Sequence, residues 1–201
     1  EDRDVEFIPM WGVRTVSLTL SEGELQDLGT IYVLRSMAKV EVKLSDALIA
    51  AGYELTSITM NNINAHGHCL PKGAETVSDT EKLQVEDCIF PKTDHQIESH
   101  TDADGVMYVP EYVNGDSAAP EISVTLQYGS GTITPESTIK FTQYTQGRPS
   151  EDAGDVYNIV RNHNYVFIIN SISPDGLKFN VSVKDLELGG IYGFIYDQEQ
   201  S

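Results

Sequence analysis

The sequence predicts an all-β protein, an antiparallel Greek-key β-sandwich with one or two short helical turns. Three observations predict it. Apolar and polar residues alternate with period two over many short segments. Turn-forming clusters rich in Gly, Pro, Asn and Asp separate those segments. No alternation of strand and helix runs along the chain. The 201 residues suffice for one large sandwich or two small domains, and 40% hydrophobic residues give a core to bury.

The clearest alternation is Ala38-Lys39-Val40-Glu41-Val42-Lys43-Leu44. Ala38, Val40, Val42 and Leu44 point to one face, and Lys39, Glu41 and Lys43 to a wet one. This strand continues back through Ile31–Leu34. Further strands are expected at Thr15–Leu20, Glu54–Ile63, Leu83–Phe90, Val106–Val109, Ile122–Tyr128 and Thr138–Tyr144. Three more follow at Asn164–Ile172, Leu177–Val183 and Ile191–Tyr196. Turns are expected at Asn114-Gly115-Asp116, Gly129-Ser130-Gly131, Pro174-Asp175-Gly176 and Gly189-Gly190. Asn164–Ile172 and Leu177–Val183 should form a hairpin across Ser173–Gly176. Ser45–Gly52 has a capping residue, an apolar stretch and a terminal glycine, which predicts two helical turns. Ser21–Leu28 and Asp155–Arg161 are weaker helical segments. Ala65–Thr101 is the least regular stretch and holds four of the five histidines, so it reads as long surface connections.

Charge narrows the function. Asp and Glu number 31 against 13 Lys and Arg, a net of -18. That field repels nucleic acid and disfavours anionic membrane surfaces. No segment is apolar and long enough to span a bilayer. Glu1-Asp2-Arg3-Asp4 does not begin a signal peptide, which leaves a cytoplasmic chain or a trimmed, exported form, and a first residue other than Met favours the second.

Candidate chemistry is sparse. Cys69 and Cys88 could pair in an exported protein or remain two thiols, and spacing leaves both open. His66 and His68 stand beside Cys69, but no second ligand pair follows at zinc spacing, so no metal is expected. Asp102-Ala103-Asp104-Gly105 lacks the remaining ligands of a calcium loop and reads as a tight turn. No Gly-x-Ser-x-Gly accompanies the histidines, and His163 reads as a strand-start residue bonded to backbone. No enzyme constellation and no cofactor is expected.

Several segments carry a resemblance. Phe7-Ile8-Pro9-Met10-Trp11-Gly12, Leu34-Arg35-Ser36-Met37-Ala38-Lys39-Val40-Glu41-Val42 and Tyr108-Val109-Pro110-Glu111-Tyr112 are three of them. Ile159–Ile169, with Arg161-Asn162-His163, and Val181–Leu186 are two more. In this order they resemble the fimbrillin family of Bacteroidetes pilus subunits, mainly its C-terminal domain. Leu186 departs from the tryptophan usual in that family. The resemblance implies a transthyretin-like sandwich over 30–201, with 1–29 as a leading segment, either the tail of a truncated N-terminal domain or a segment that packs on the sandwich directly.

The resemblance further implies a structural or adhesive subunit of cell-surface fimbriae at the outer membrane surface. Its partners would be other fimbrial subunits, with host or bacterial surface ligands also open, and it would meet the membrane only through an anchor. Such subunits assemble when proteolysis after an arginine frees a groove that a neighbour's strand then fills. Ile191, Tyr192, Gly193, Phe194, Ile195 and Tyr196 form the candidate donor strand, with a permanent last strand of this sandwich as the alternative, and Arg3 and Arg14 are the candidate cleavage sites. Arg35 lies in an expected strand and is the poorest site. Ser117, in Asp116-Ser117-Ala118, resembles an O-glycosylation position. The competing reading is a monomeric surface module that binds carbohydrate or protein, which needs an exposed aromatic platform.

Overall fold

In a computed structural model, the residues described are 8–17, 19, 27–91, 97–114, 120–135, 138–141, 144–145, 148–149, 158–173 and 176–185. In chain order the elements are β1 (Met10–Trp11), β2 (Leu34–Arg35), β3 (Met37–Leu44), α1 (Asp46–Ala50), β4 (Tyr53–Asn64), β5 (Ile97–Asp102) and β6 (Val106–Pro110). There follow β7 (Glu121–Tyr128), β8 (Gly131–Ile133), β9 (Ile139–Lys140), β10 (Tyr144–Thr145), β11 (Arg148–Pro149), β12 (His163–Ser173) and β13 (Gly176–Asp185).

One sheet has the order β13-β12-β3-β6, and the other β5-β4-β7-β8 with β9 on β7. The all-β sandwich expected from the alternation is what forms. Its core lies between the sheets. Ala38, Val40 and Val42 of β3, Met107 and Val109 of β6, and Tyr165, Phe167 and Ile169 of β12 come from one side. Ile58 and Met60 of β4, and Ile122, Val124 and Leu126 of β7, meet them from the other. These are every-second residues, as a two-residue period requires.

Breaks in that period coincide with bulges. In β4 the inward residues step from Ile58 and Met60 to Ile63. The register against β5 shifts between Met60 and Ile63, where Asn62 takes a positive φ of 61°. One extra residue there returns Ile63 to the core side. β12 and β13 pair antiparallel from His163↔Asp185 to Ser173↔Gly176, the expected hairpin. Among the described residues the strand pairs are antiparallel except β12 with β3, which run side by side in the same direction. The chain reaches β12 only after leaving for the second sheet, so no hairpin dictates its direction.

Several expectations fail in detail. Leu83–Phe90 is not a strand; 3-10 turns occupy Thr80–Lys82 and Val85–Cys88. The Asp79 carboxylate accepts from Glu81 N at 3.2 Å, offering the backbone a turn in place of a ladder. Thr15–Ser17 and Thr19 form no strand, and Ile31–Val33 does not extend β3; the chain instead breaks at Ser36 into β2. Within Thr138–Tyr144 the described residues form β9 and the start of β10, while Thr138 and Phe141 lie outside a strand. Asn158–Arg161 is not helical, because Ile159 bridges Tyr112. α1 begins after Ser45 and is followed by Gly52 at φ 90°, but the Ser45 hydroxyl makes no capping bond. Glu41, expected in water, is 3% exposed beneath Lys39 and Lys43.

Candidate functional site

The segments that carry the resemblance lie far apart in sequence and meet in space. Charged residues do the joining. Arg161 follows Ile159-Val160, and Glu111 sits between Pro110 and Tyr112. Both are buried, and they form a forked pair: Arg161 Nε donates to Glu111 Oε2 at 2.8 Å and Nη2 to Oε1 at 2.6 Å. The same guanidinium donates from Nη1 to the Cys69 carbonyl at 2.6 Å and from Nη2 to the His68 carbonyl at 2.8 Å. It therefore fastens the long irregular connection to the end of the sandwich. A rigid planar fork is the side chain that can hold a carboxylate and two carbonyls at once.

Around this pair the strand ends are tied together. Tyr112 N and Ile159 N each donate to the other residue's carbonyl, at 2.9 and 3.1 Å. Tyr165 Oη donates to the Asn158 carbonyl at 2.7 Å and accepts from Val160 N at 3.0 Å. The Tyr112 hydroxyl donates to the Asn62 carbonyl at 3.1 Å, and burial pushes its ionisation far above the ordinary phenol range. His163 Nδ1 lies 2.9 Å from the Arg161 carbonyl. That oxygen can only accept, so Nδ1 carries a proton. His163 thus bonds to backbone at the start of β12, as its position suggested.

Asn162, at φ 60°, links to the earlier segments. Its N–H donates to the Met37 carbonyl at 3.0 Å, and its side-chain oxygen accepts from Arg35 Nη1 at 3.3 Å. Met10 and Trp11 pair with Arg35 and Leu34, and Ser36 N donates to the Pro9 carbonyl at 2.9 Å. Val181–Asp185 of the last segment pair with β12. The constellation is a fastening: Arg161 and Glu111 neutralise one another, and the hydrogen bonds named here are made within the chain itself.

The individual candidates fall as follows. Arg14 is exposed, but its neighbours are held. Thr15 N donates to Ser78 O at 2.7 Å, Thr80 N to Val13 O at 2.9 Å, and Val13 N to the Thr80 hydroxyl at 2.6 Å. Arg14 Nη1 donates to the Thr30 carbonyl at 2.6 Å. Arg3, Ser117 and Ile191–Tyr196 lie outside the described residues. Cys69 and Cys88 are both free thiols, Cys69 exposed and Cys88 buried, so the disulfide left open by the sequence is not formed. Burial, with the Asp87 and Glu111 charges, pushes the Cys88 thiol up, against the pull of Arg161. Asp102 Oδ1 accepts from Asp104 N at 2.7 Å, which makes this stretch a tight turn. The His68 ring stacks on Phe90 with centroids 4.0 Å apart. Among the described residues no three His, Cys, Asp or Glu side chains gather as a metal site. No helix among them is long and apolar enough to cross a membrane.

Sequence reasoning missed two clusters, Arg161 with Glu111 and Glu41 with its two lysines. Part of the signal for the first was available, since Glu111 interrupts an apolar run, whereas Arg161 only precedes the polar Asn162-His163-Asn164. In the second, burial pushes the Glu41 carboxyl up, yet hydrogen bonds and charge from Lys39 and Lys43 outweigh it and hold the carboxyl below its ordinary value.

Neither a protein-family model nor a curated protein matches the chain. Among solved structures it is similar to the tip fimbrial protein Mfa3 of Porphyromonas gingivalis with a C-terminal truncation, at 16% identity and a TM-score of 0.45. That similarity covers 76% of this chain and 52% of the other. It is also similar to a protein of Parabacteroides distasonis described as a cell adhesion protein, at 11% identity and a TM-score of 0.41. There the coverage is 81% of this chain and 55% of the other, so the chain spans about half the length of each.

Proposed function

We propose that this chain is a fimbrillin-type surface subunit, structural or adhesive, that joins neighbouring subunits by strand exchange. The observation that carries this reading is the meeting of its motif segments. Pro9–Trp11, Leu34–Met37, Glu111–Tyr112 and Ile159–Asn164 are tied at one end of the sandwich, and Val181–Asp185 run alongside on β13. Chance matches of a few residues each have no reason to assemble in this way. On this reading 1–29 is a leading segment, the tail of a truncated N-terminal domain, ahead of a sandwich over 30–201, and the protein works at the cell surface. Its mechanical unit is a strand supplied in trans. Main-chain hydrogen bonds hold that strand, and its alternate side chains fill the space a departed strand leaves.

The donor is Ile191–Tyr196, and the groove opens after a cut at Arg3 or Arg14. The test is the mass distribution of the full-length chain in solution, before and after limited arginine-specific proteolysis, beside a chain lacking Gly189–Ser201. The expected result is a ladder of multimers on trimming that the deletion abolishes. A trimmed chain that stays monomeric overturns strand exchange. One observation favours a second reading, a monomeric carbohydrate-binding module. Tyr128 is 51% exposed and stacks on Tyr53, with centroids 4.6 Å apart at a strand end. Sugar binding that Tyr128→Ala removes, by a chain that never multimerises, would establish that reading instead.

A further inference from the structure

The faces of β3 and β12 that turn away from the core carry a cluster the packing does not require. These two strands run parallel, and their register sets Lys39 beside Asn164. Glu41 is two residues farther along β3 and so shares that face. Its Oε1 contacts the Lys39 ammonium and lies 3.4 Å from Asn164 Nδ2. An amine and a carboxamide from strands distant in sequence are thus gathered on one carboxylate oxygen. Lys43 holds the other oxygen. Asn164 is fully buried, and the side chains of Glu41 and Lys39 are 4% and 23% exposed. Asn164 Oδ1 is buried with no hydrogen-bond partner among the described residues. An unpaired buried amide oxygen is costly, and one retained beside a nucleophile and a proton carrier has a chemical use.

We propose that Lys39 and Asn164 join through an intramolecular amide bond, with Glu41 carrying the protons. Glu41 takes a proton from the Lys39 ammonium that it contacts. The freed amine attacks Asn164 Cγ, and the new C–N bond forms. A half-turn of the carboxamide brings Oδ1 to the protonated Glu41, whose O–H polarises the carbonyl during the attack. The Cγ–Nδ2 bond then breaks. The departing nitrogen receives protons relayed by Glu41 and leaves as ammonium, and Glu41 returns to a carboxylate. The reactants are one lysine ammonium and one carboxamide; the products are one secondary amide and one ammonium ion. No oxidant and no co-reactant takes part. Fixed proximity is what allows such a slow reaction to proceed.

The product ties two neighbouring strands whose closed loop takes in most of the sandwich. Such a link constrains the unfolded chain and bears tension that a hydrogen-bond ladder alone cannot. The inference rests on these residues and holds whether or not the chain exchanges strands.

The test is the intact mass of the full-length protein under denaturing conditions, with a tryptic digest. The chain should be lighter than its sequence by one ammonia. The digest should hold Ser36–Lys43 joined to Asn162–Lys178, uncut after Lys39. Lys39→Arg keeps the charge facing Glu41, and Asn164→Ala removes the electrophile; both should show full sequence mass while remaining folded by circular dichroism. Glu41→Gln should fold and stay unlinked. A wild-type chain of full sequence mass overturns the proposal. An ammonia loss that persists in Lys39→Arg does so too, since it arises at another asparagine. A junction at Lys43 overturns the assignment of the nucleophile, and a linked Glu41→Gln chain the role of the carboxylate.

Discussion

Arg161 is fully buried and makes four hydrogen bonds, two to Glu111 and two to carbonyls of the 65–91 connection. Removing one member of such a pair strands the other charge away from water. Arg161→Met should therefore cost about 3–5 kcal/mol of stability, read by urea denaturation. Arg161→Lys should recover little of it, because an ammonium cannot serve a carboxylate and two carbonyls in one plane. Adding Glu111→Gln to Arg161→Met should cost less than the two single losses combined, since the stranded charge is gone. A loss near zero for Arg161→Met would mean that water reaches Glu111 and the pair holds nothing. The two thiols offer a second prediction at this scale. Cys69 is exposed and Cys88 buried with a raised thiol ionisation, so a thiol reagent should label Cys69 first in the native chain. The pH dependence has a definite sign. A group held neutral in the fold contributes its stabilisation in full below its ordinary range, for a thiol near ~8.5. That contribution is lost as pH rises through the raised native value, as the unfolded thiol ionises first. Cys88→Ser should flatten this alkaline decline in stability. Two equivalent thiols, or none, would contradict the arrangement.

Which elements could be read from sequence depended on what holds each one. β3, β6 and β7 bury alternate apolar residues, so their residue pattern reports their structure directly, and β12 and β13 pair over the expected hairpin. The segments that misled are held by something else. Thr80–Lys82 and Val85–Cys88 turn because nearby polar side chains and short-range bonds satisfy their backbone, and no alternation records that. The parallel partnership of β3 with β12 is also silent in the pattern, because both strands would look the same in either direction. The motif segments were legible as motifs, but the Arg161–Glu111 fork that draws two of them together had to be seen. One glycine position was legible in type and not in cause. Gly105 closes the β5–β6 turn at φ 72°, and a Cβ there would stand 2.7 Å from both the Val42 carbonyl oxygen and a Leu55 methyl. Val42 N also donates to the Gly105 carbonyl at 2.8 Å, so the turn is stitched to the strand it faces. Gly105→Ala should cost about 1–3 kcal/mol, from the left-handed backbone and from displaced neighbours. Gly129→Ala, at φ 58° but with nothing within 4 Å of its Cβ position, separates the two terms by carrying only the first. Equal losses at both glycines would show that the close contacts around Gly105 yield freely.

For the whole molecule, the question is how firmly the leading ribbon is held, because the proposed assembly requires it to be cut. Residues 10–15 run beside 30–35 and are bonded through Val13 and Thr15 to Thr80 and Ser78. Thr80 is fully buried, and its hydroxyl both accepts from Val13 N at 2.6 Å and reaches the Val13 carbonyl at 3.1 Å. A protease needs several residues on each side of the scissile bond in extended, unbonded form. Arg14 therefore presents its side chain to a protease while its backbone withholds the bond, and cleavage must wait for the ribbon to open. If opening and closing are fast relative to cutting, the rate follows the open population. Thr80→Val removes the hydroxyl and leaves Val13 N without its acceptor, a loss of about 1–3 kcal/mol. Each ~1.4 kcal/mol is a tenfold change in population, so cutting after Arg14 should accelerate about tenfold or more. Global stability measured at the sandwich should fall less, because the bonds lost belong to the ribbon. The readout is the appearance of a new amino terminus at Thr15 under limiting arginine-specific protease. An unchanged rate would mean that Arg14 is withheld by something other than this latch. A rate that rises only in step with global unfolding would mean that ribbon and sandwich open as one unit, and that a cut at Arg14 cannot precede the loss of the fold.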